Sequence, residues 1–479
     1  MYKRILKNSA IYGLLPQLSK IASFFVLPLT TPFLTGQDYG IIGVLSAYIG
    51  AFSIFHLLGF NVVVTNAFYH YPKQYKWYWR QTYGFLMLWS VVFIALLGLI
   101  IYYTLPNEAR PYRWVIIAAK TIPLLLFGAS DMLAGTYYRL NHNAWPIASR
   151  SLLAGFAGVA LSYYFIAHLR LGYMGWIWSE FITSMFNGLL FLFPVLFQWK
   201  IIPIFNFKRR LIKKALKVSL PVVPHSYGSY LLNSSDRAVM ERLNVSTQSI
   251  GLYSLAYNFG AYINTIANAM NQAIGPNLIE LIKKGRWKEY EKLIFGFQTF
   301  VVFICFTLAL WIPQWLPFLV RNKELLQINY LLAIIIMSYS FKPIYIGCNQ
   351  VVFYFEKTSV LWRITFIAGI ANVVLNLIFI PIFGITAAAV NTFVSLAYMA
   401  FAGFSFNHFK AYNKARLYPM PWLLFVIFFL GVALFFVSSN LLTKMLIQLF
   451  FITLLITGFL GFSKYQKKSK TQKIALESA

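Results

Sequence analysis

The 479-residue chain is 59% hydrophobic and 19% aromatic, and only 11% of it is charged. A soluble domain is roughly a quarter charged, so this chain lacks the polar groups to cover a globular surface in water and takes lipid as its solvent. Its net charge of +29, from 41 Lys+Arg against 12 Asp+Glu, shows no nucleic-acid module to carry it and reads as the basic bias of cytoplasmic membrane-protein loops.

Apolar runs of about 20 residues, enough to cross a bilayer, begin around 10–34. Lys3, Arg4 and Lys7 precede this run as in a signal peptide, but Pro16 and Lys20 interrupt it and no small-residue cleavage site follows. It reads as a retained first helix. Further runs fall around 39–65, 82–104, 114–135, 145–166 and 174–197. After a basic stretch they resume around 216–236, 250–277, 293–314, 328–349, 359–381, 384–407, 421–439 and 443–463, with a short break at Phe383-Gly384. The expected fold is an all-α integral membrane protein. About fourteen transmembrane helices form two pseudo-symmetric lobes around a central cavity, with both termini cytoplasmic.

Alternate connections support this count. Those predicted inside carry Lys73, Lys76 and Arg80, the cluster from Lys200 to Lys217, the group from Lys283 to Lys292, and a basic tail from Lys464. Those predicted outside are poorer in Lys and Arg, and a wrong helix number would scramble the alternation. The expected organisation is an N-terminal lobe over 1–197, a basic cytoplasmic linker over 198–215 and a C-terminal lobe over 216–407. Two additional helices follow over 408–463, and the tail is 464–479. The Phe207-Lys208-Arg209-Arg210 cluster in the linker is expected on the anionic inner leaflet. Gln37-Asp38-Tyr39-Gly40-Ile41 and Gln248-Ser249-Ile250-Gly251-Leu252 follow the first helix of each half, a repeat of the kind that builds transporter lobes.

Every loop is short, so the polar chemistry is expected within the membrane. Lys20, Lys120, Arg150, Lys342 and Arg363 fall within or at the edge of spans. Each costs about 2.5–3.5 kcal/mol at a lipid-exposed helix centre. Lys20, Lys120 and Lys342 are therefore expected in a polar, cationic cavity. Arg150 and Arg363 lie near predicted cytoplasmic ends, where they either snorkel to the interface or complete the cationic lining. Ser338, Lys342, Tyr345 and Asn349 share one helical face, as do Asn264, Asn268, Asn271 and Gly275, and also Gly369, Asn372 and Asn376. Glu180, Ser184 and Asn187 form another stripe, and Lys120 and Asp131 share a face. Such stripes either line a wet cavity or hold helices together.

Acidic groups are scarce inside. Asp131, Glu180 and Asp236 are candidates for ion coupling or gating, or counter-ions of nearby lysines. His56 and His225 lie mid-helix, either titrating near neutral pH or simply hydrogen-bonded in the packing. Pro16, Pro28, Pro221 and Pro224 are expected to kink or break their helices. Cys305 and Cys348 have no ligand-like spacing, which excludes a disulfide scaffold and the usual zinc sites. No catalytic residue, metal site or cofactor is expected beyond a coupling H+ or Na+.

Lys7-Asn8-Ser9-Ala10-Ile11-Tyr12-Gly13, Leu27-Pro28-Leu29-Thr30 and Gln37-Asp38-Tyr39-Gly40-Ile41 resemble the N-terminus of the polysaccharide transporter, or O-antigen flippase, family. That family lies within the multidrug/oligosaccharidyl-lipid/polysaccharide exporter superfamily. Ser219-Leu220-Pro221, His225-Ser226, Asn233-Ser234-Ser235-Asp236-Arg237 and Ile250 to Tyr257 agree. The resemblance implies a flippase of the bacterial inner membrane, moving undecaprenyl-pyrophosphate-linked oligosaccharide repeat units outward for O-antigen, capsule or exopolysaccharide. It further implies cationic residues for the pyrophosphate and an ion gradient for resetting. The expected partners are the lipid-linked oligosaccharide, anionic membrane lipids, a glycan polymerase and a chain-length regulator; no nucleic acid is expected. A peptidoglycan-precursor flippase shares the anionic lipid substrate and stays open as an alternative. A membrane glycan polymerase or glycosyltransferase would need a catalytic group on a substantial loop.

Overall fold

The computed structural model describes residues 23–143, 145–355 and 359–458, and no strand occurs among them. In chain order the helices are α1 (Gly36–His56), α2 (Phe60–His70), α3 (Tyr75–Thr104), α4 (Arg113–Leu140), α5 (Trp145–Ser162) and α6 (Gly172–Phe193). Next come α7 (Arg209–Ser219), α8 (Val223–Asn233), α9 (Ser235–Arg242), α10 (Thr247–Lys283), α11 (Trp287–Leu310), α12 (Ile312–Leu319) and α13 (Asn329–Ser338). The last are α14 (Lys342–Tyr354), α15 (Ser359–Phe383), α16 (Ile385–Ala402), α17 (Asn407–Tyr412), α18 (Pro419–Phe436) and α19 (Leu441–Gly458).

Among the described residues, 11 helical stretches are long and apolar enough to cross a membrane. They coincide with all but three of the predicted runs. Only the Ser23–Phe33 part of the first run is described, and it is helical; Lys20 lies outside the described residues. The 216–236 run is divided. A 3-10 turn at Leu220–Val222 carries Pro221, and Pro224 stands in the first turn of α8, a position where the missing N–H costs no helical hydrogen bond. The 250–277 run lies inside α10, where Asn264, Asn268 and Asn271 dilute an otherwise apolar helix. Gly384 separates α15 from α16 at a φ of +64°, the left-handed conformation that reverses the chain at low cost in glycine.

The start of α1 shows how local chemistry sets these boundaries. Thr35 Oγ1 accepts from the Asp38 amide at 3.2 Å, and Asp38 Oδ2 accepts from the Thr35 amide at 2.8 Å. This capping box satisfies amides that the first helical turn leaves open. The same carboxylate accepts from the Tyr173 amide at 2.8 Å, tying α1 to the first turn of α6. Asp38 is therefore a helix cap.

The chain divides into two compact units. Unit 1 comprises Met1–Asn258, Pro317–Ile328 and Thr365–Ser395; unit 2 comprises Phe259–Leu316, Asn329–Ile364 and Leu396–Ala479. Within unit 1, α4 packs against both α3 and α6. One core gathers Phe60, Val64, Trp79, Leu86, Leu133 and Val195; another gathers Ile41, Leu97, Ile101, Ile116 and Ile177. Within unit 2, α11 packs against α13, α14 and α18. Phe306, Phe429 and Phe451 meet there with ring centroids 4.3–4.9 Å apart. Leu88, Val91, Val92, Leu96 and Leu99 on α3, and Leu424, Ile427, Phe428 and Phe435 on α18, are exposed. Apolar faces of this extent belong against acyl chains.

Candidate functional site

Two polar constellations stand out inside unit 1. The first is a cavity of about 590 Å³ lined by residues of α1, α4, α5 and α6. Lys120 on α4 and Glu180 on α6 form an ion pair at its wall, the ammonium largely buried and the carboxylate 45% exposed. Asp131, three turns along α4 from Lys120, lines the same cavity with Ser46, Thr183, Ser184 and Asn187. Among the described residues, Asp131 Oδ1 and Thr183 Oγ1 are buried without a hydrogen-bond partner. Buried polar atoms are ordinarily satisfied, so both keep unused hydrogen-bonding capacity at the cavity wall. With Phe127 and Phe181 alongside, the wall offers hydroxyls, an amide, an ion pair and aromatic rings. Its lining holds one ammonium and two carboxylates, of which Glu180 alone pairs with Lys120.

The second constellation is centred on Asp236, which is fully buried. Its Oδ2 accepts from the Tyr253 hydroxyl at 2.5 Å and the Thr392 hydroxyl at 3.3 Å, and its Oδ1 accepts from Asn376 Nδ2 at 2.7 Å. Asn376 also donates to Asn372 Oδ1 at 2.6 Å and accepts from Asn391 Nδ2 at 2.9 Å. Asn372 Nδ2 is buried without a partner among the described residues. Next in the chain, the Arg237 guanidinium lies over Tyr257 at 4.3 Å, and its Nε donates to Ser254 Oγ at 3.3 Å. A buried carboxylate is tolerable only when charge and hydrogen bonds compensate it. Here three donors and an adjacent cation do so. The chain is interrupted at this point, since Ser234 separates α8 from α9 with non-helical dihedrals.

The two look-alike segments also meet within unit 1. A β-carbon on Gly251 would overlap the carbonyl of Gly36, and one on Gly40 would overlap the carbonyl of Thr247. Glu324 Oε1 accepts from Gln248 Nε2 at 2.8 Å and from the Gly36 amide at 3.4 Å.

The other predicted residues fall as follows. Arg150 donates to the Tyr138 hydroxyl at 2.9 Å and the Pro146 carbonyl at 3.2 Å, with its guanidinium over Phe191. His56 is buried, its Nε2 3.0 Å from Ser90 Oγ. These two belong to unit 1, whereas Lys342 and Arg363 belong to unit 2. Lys342 lies over the Tyr345 ring at 5.6 Å, and Arg363 is exposed beside Trp362. Also in unit 2, Asn268 bonds Asn264 at 3.4 Å, and Asn271 accepts from Gln350 at 3.3 Å. Ser338 is buried and bonds the Ile335 carbonyl at 2.6 Å, and Asn349 is buried. His225 is on α8, and its side chain is outside the described part. Sequence reasoning did not single out Thr183, Thr392 or Asn391 for these sites. Tyr253 and Arg237 stood in the quoted motif blocks without an assigned contact.

The sequence family described as "Polysaccharide biosynthesis protein" matches residues 5–282. An uncharacterized membrane protein of Haemophilus influenzae is 21% identical over 422 residues, covering 79% of this chain and 92% of that protein. Among solved structures, the lipid II flippase MurJ in an inward closed conformation superposes with a TM-score of 0.62 at 15% identity, over 95% of this chain and 99% of that one. The Vibrio cholerae MATE transporter VcmN in its bent form superposes with a TM-score of 0.54 at 15% identity, over 86% of this chain and 96% of that one. At these identities the likeness is one of fold. The family match spans more than half of the chain and both motif blocks, around Asp38 and around Asp236. The chain therefore belongs to the polysaccharide biosynthesis protein family, with the helical membrane fold its composition called for.

Proposed function

We propose that the chain is a flippase of the bacterial inner membrane. It moves undecaprenyl-pyrophosphate-linked oligosaccharide repeat units from the inner to the outer leaflet by alternating access coupled to H+ or Na+. The exported units feed O-antigen, capsule or exopolysaccharide assembly, where a glycan polymerase and a chain-length regulator take them over. The observation that carries this reading is the unit 1 cavity, together with the family membership. Ser46, Thr183, Ser184 and Asn187 suit the hydroxyls of a sugar. Lys120 exchanges its Glu180 partner for a phosphate oxygen, an ion pair that the half-exposed carboxylate makes cheap to break. Asp131 and Asp236 are the carboxylates through which a coupling cation acts. The cationic role that the family resemblance implies extends in this proposal to Lys20, Lys342, Arg150 and Arg363. The protein supplies no covalent chemistry in this scheme.

A second reading, export of a peptidoglycan precursor, is favoured by the superposition on a protein named as a lipid II flippase. One experiment separates the two. In a deletion strain, a lipid-linked repeat unit trapped in the inner leaflet supports the first reading, and trapped lipid II supports the second.

A further inference from the structure

Unit 2 holds a larger groove that the transport scheme does not use. It has a volume of about 960 Å³ and runs between α10 and α11 from their connecting turn at Gly285. At the turn its rim carries Glu280, Lys284, Arg286, Glu289 and Lys292. Below the rim its walls are Met270, Ile274, Leu293, Phe297 and Phe300. From Arg286 to Phe300, as from Lys284 back to Met270, is about 21 Å of helix, enough to span one leaflet of a hydrocarbon core roughly 30 Å thick. The charged rim and the long apolar trough thus match a phosphate head above an acyl chain. Free phosphate would leave the trough unfilled.

The rim is positive. Lys284 pairs with Glu280 at 2.6 Å, and Arg286 Nε donates to Glu289 at 2.5 Å. Both pairs are about half exposed, so they rearrange at little cost. Lys292 is exposed and has no ion-pair partner among the described residues, and Lys283 and Lys288 flank the rim. Gly296 lines the trough, and the place its β-carbon would take has no atom within 4 Å. That open notch deepens the trough where a chain would lie.

We propose that this groove binds one anionic glycerophospholipid of the surrounding bilayer, its phosphate on Lys292 and Arg286 and one acyl chain against Leu293, Gly296 and Phe300. The site is separate from the predicted membrane-surface cluster at Phe207–Arg210 and does not rest on the flippase reading.

The test uses the full-length protein in detergent, incubated with phosphatidylglycerol or with phosphatidylcholine of identical chains and examined by native mass spectrometry. Phosphatidylglycerol is expected to be retained about tenfold better, from the basic rim. Gly296→Trp fills the trough and should lose that preference. Gly431→Trp, at an equally open glycine of α18, should keep it. Lys292→Glu keeps the trough and reverses one rim charge, and should weaken retention even if Gly296→Trp fails to fold. Equal retention of the two lipids overturns the proposal, as does wild-type retention by the folded variants. Displacement of phosphatidylglycerol by equimolar undecaprenyl phosphate would also overturn it, assigning the groove to a polyprenyl chain.

Discussion

Gly251 of α10 backs directly onto the carbonyl of Gly36 at the start of α1, leaving no room for a β-carbon. Gly40 meets the carbonyl of Thr247 in the same way. Small residues let helix backbones approach this closely in membranes. Gly251→Ala and Gly40→Ala are each expected to destabilise the protein by about 1–3 kcal/mol through overpacking. Gly431→Ala, with no neighbour within 4 Å, should be neutral or gain up to about 1 kcal/mol from helix propensity. Thermal unfolding in detergent measures both, and equal melting temperatures for Gly251→Ala and Gly431→Ala would rule out the close contact.

The Lys120–Glu180 pair separates a transport role from a structural one. Glu180 is 45% exposed, so the carboxylate that Lys120→Ala leaves behind is not stranded in a dry site. Lys120→Ala is therefore expected to leave the melting temperature nearly unchanged while surface glycan display falls sharply. The swap of Lys120→Glu with Glu180→Lys restores an ion pair of reversed sense. Recovery of glycan display by that double variant would contradict a phosphate-binding role for Lys120.

Asp236 makes opposite demands on its two simplest variants. Asp236→Ala strands the Tyr253, Thr392 and Asn376 donors in a buried site, at about 1–3 kcal/mol for each unsatisfied group. Poor insertion and a low melting temperature should follow. Asp236→Asn preserves shape and part of the hydrogen bonding but not the charge. It is expected to insert, melt near the wild type and fail to export glycan. Normal export by Asp236→Asn would remove this carboxylate from ion coupling.

Topology is accessible through thiol labelling, because Cys305 and Cys348 are both buried and should stay silent. A cysteine replacing Lys208 should react with membrane-impermeant reagent only after the cytoplasmic face is opened. Labelling in intact cells would invert the orientation.

The lipid-borne character of the protein and most of its spans were legible from the sequence alone, because the cost of leaving backbone or charge in hydrocarbon is paid residue by residue along the chain. The motif around Asp236 and the stripe through Asn372 and Asn376 were legible too, each as a polar feature on its own helix. What no periodicity could give was their meeting. Asp236 and Asn376 are 140 residues apart in sequence, and Lys120 and Glu180 are 60 apart. A stripe reports which face of a helix is polar; only the packing of the other helices decides what that face touches. Packing likewise gave Arg150 its tyrosine, His56 its serine and Asp38 its place at a helix cap. It also brought Glu180 to Lys120, an ion pair between two helices that neither stripe by itself implied.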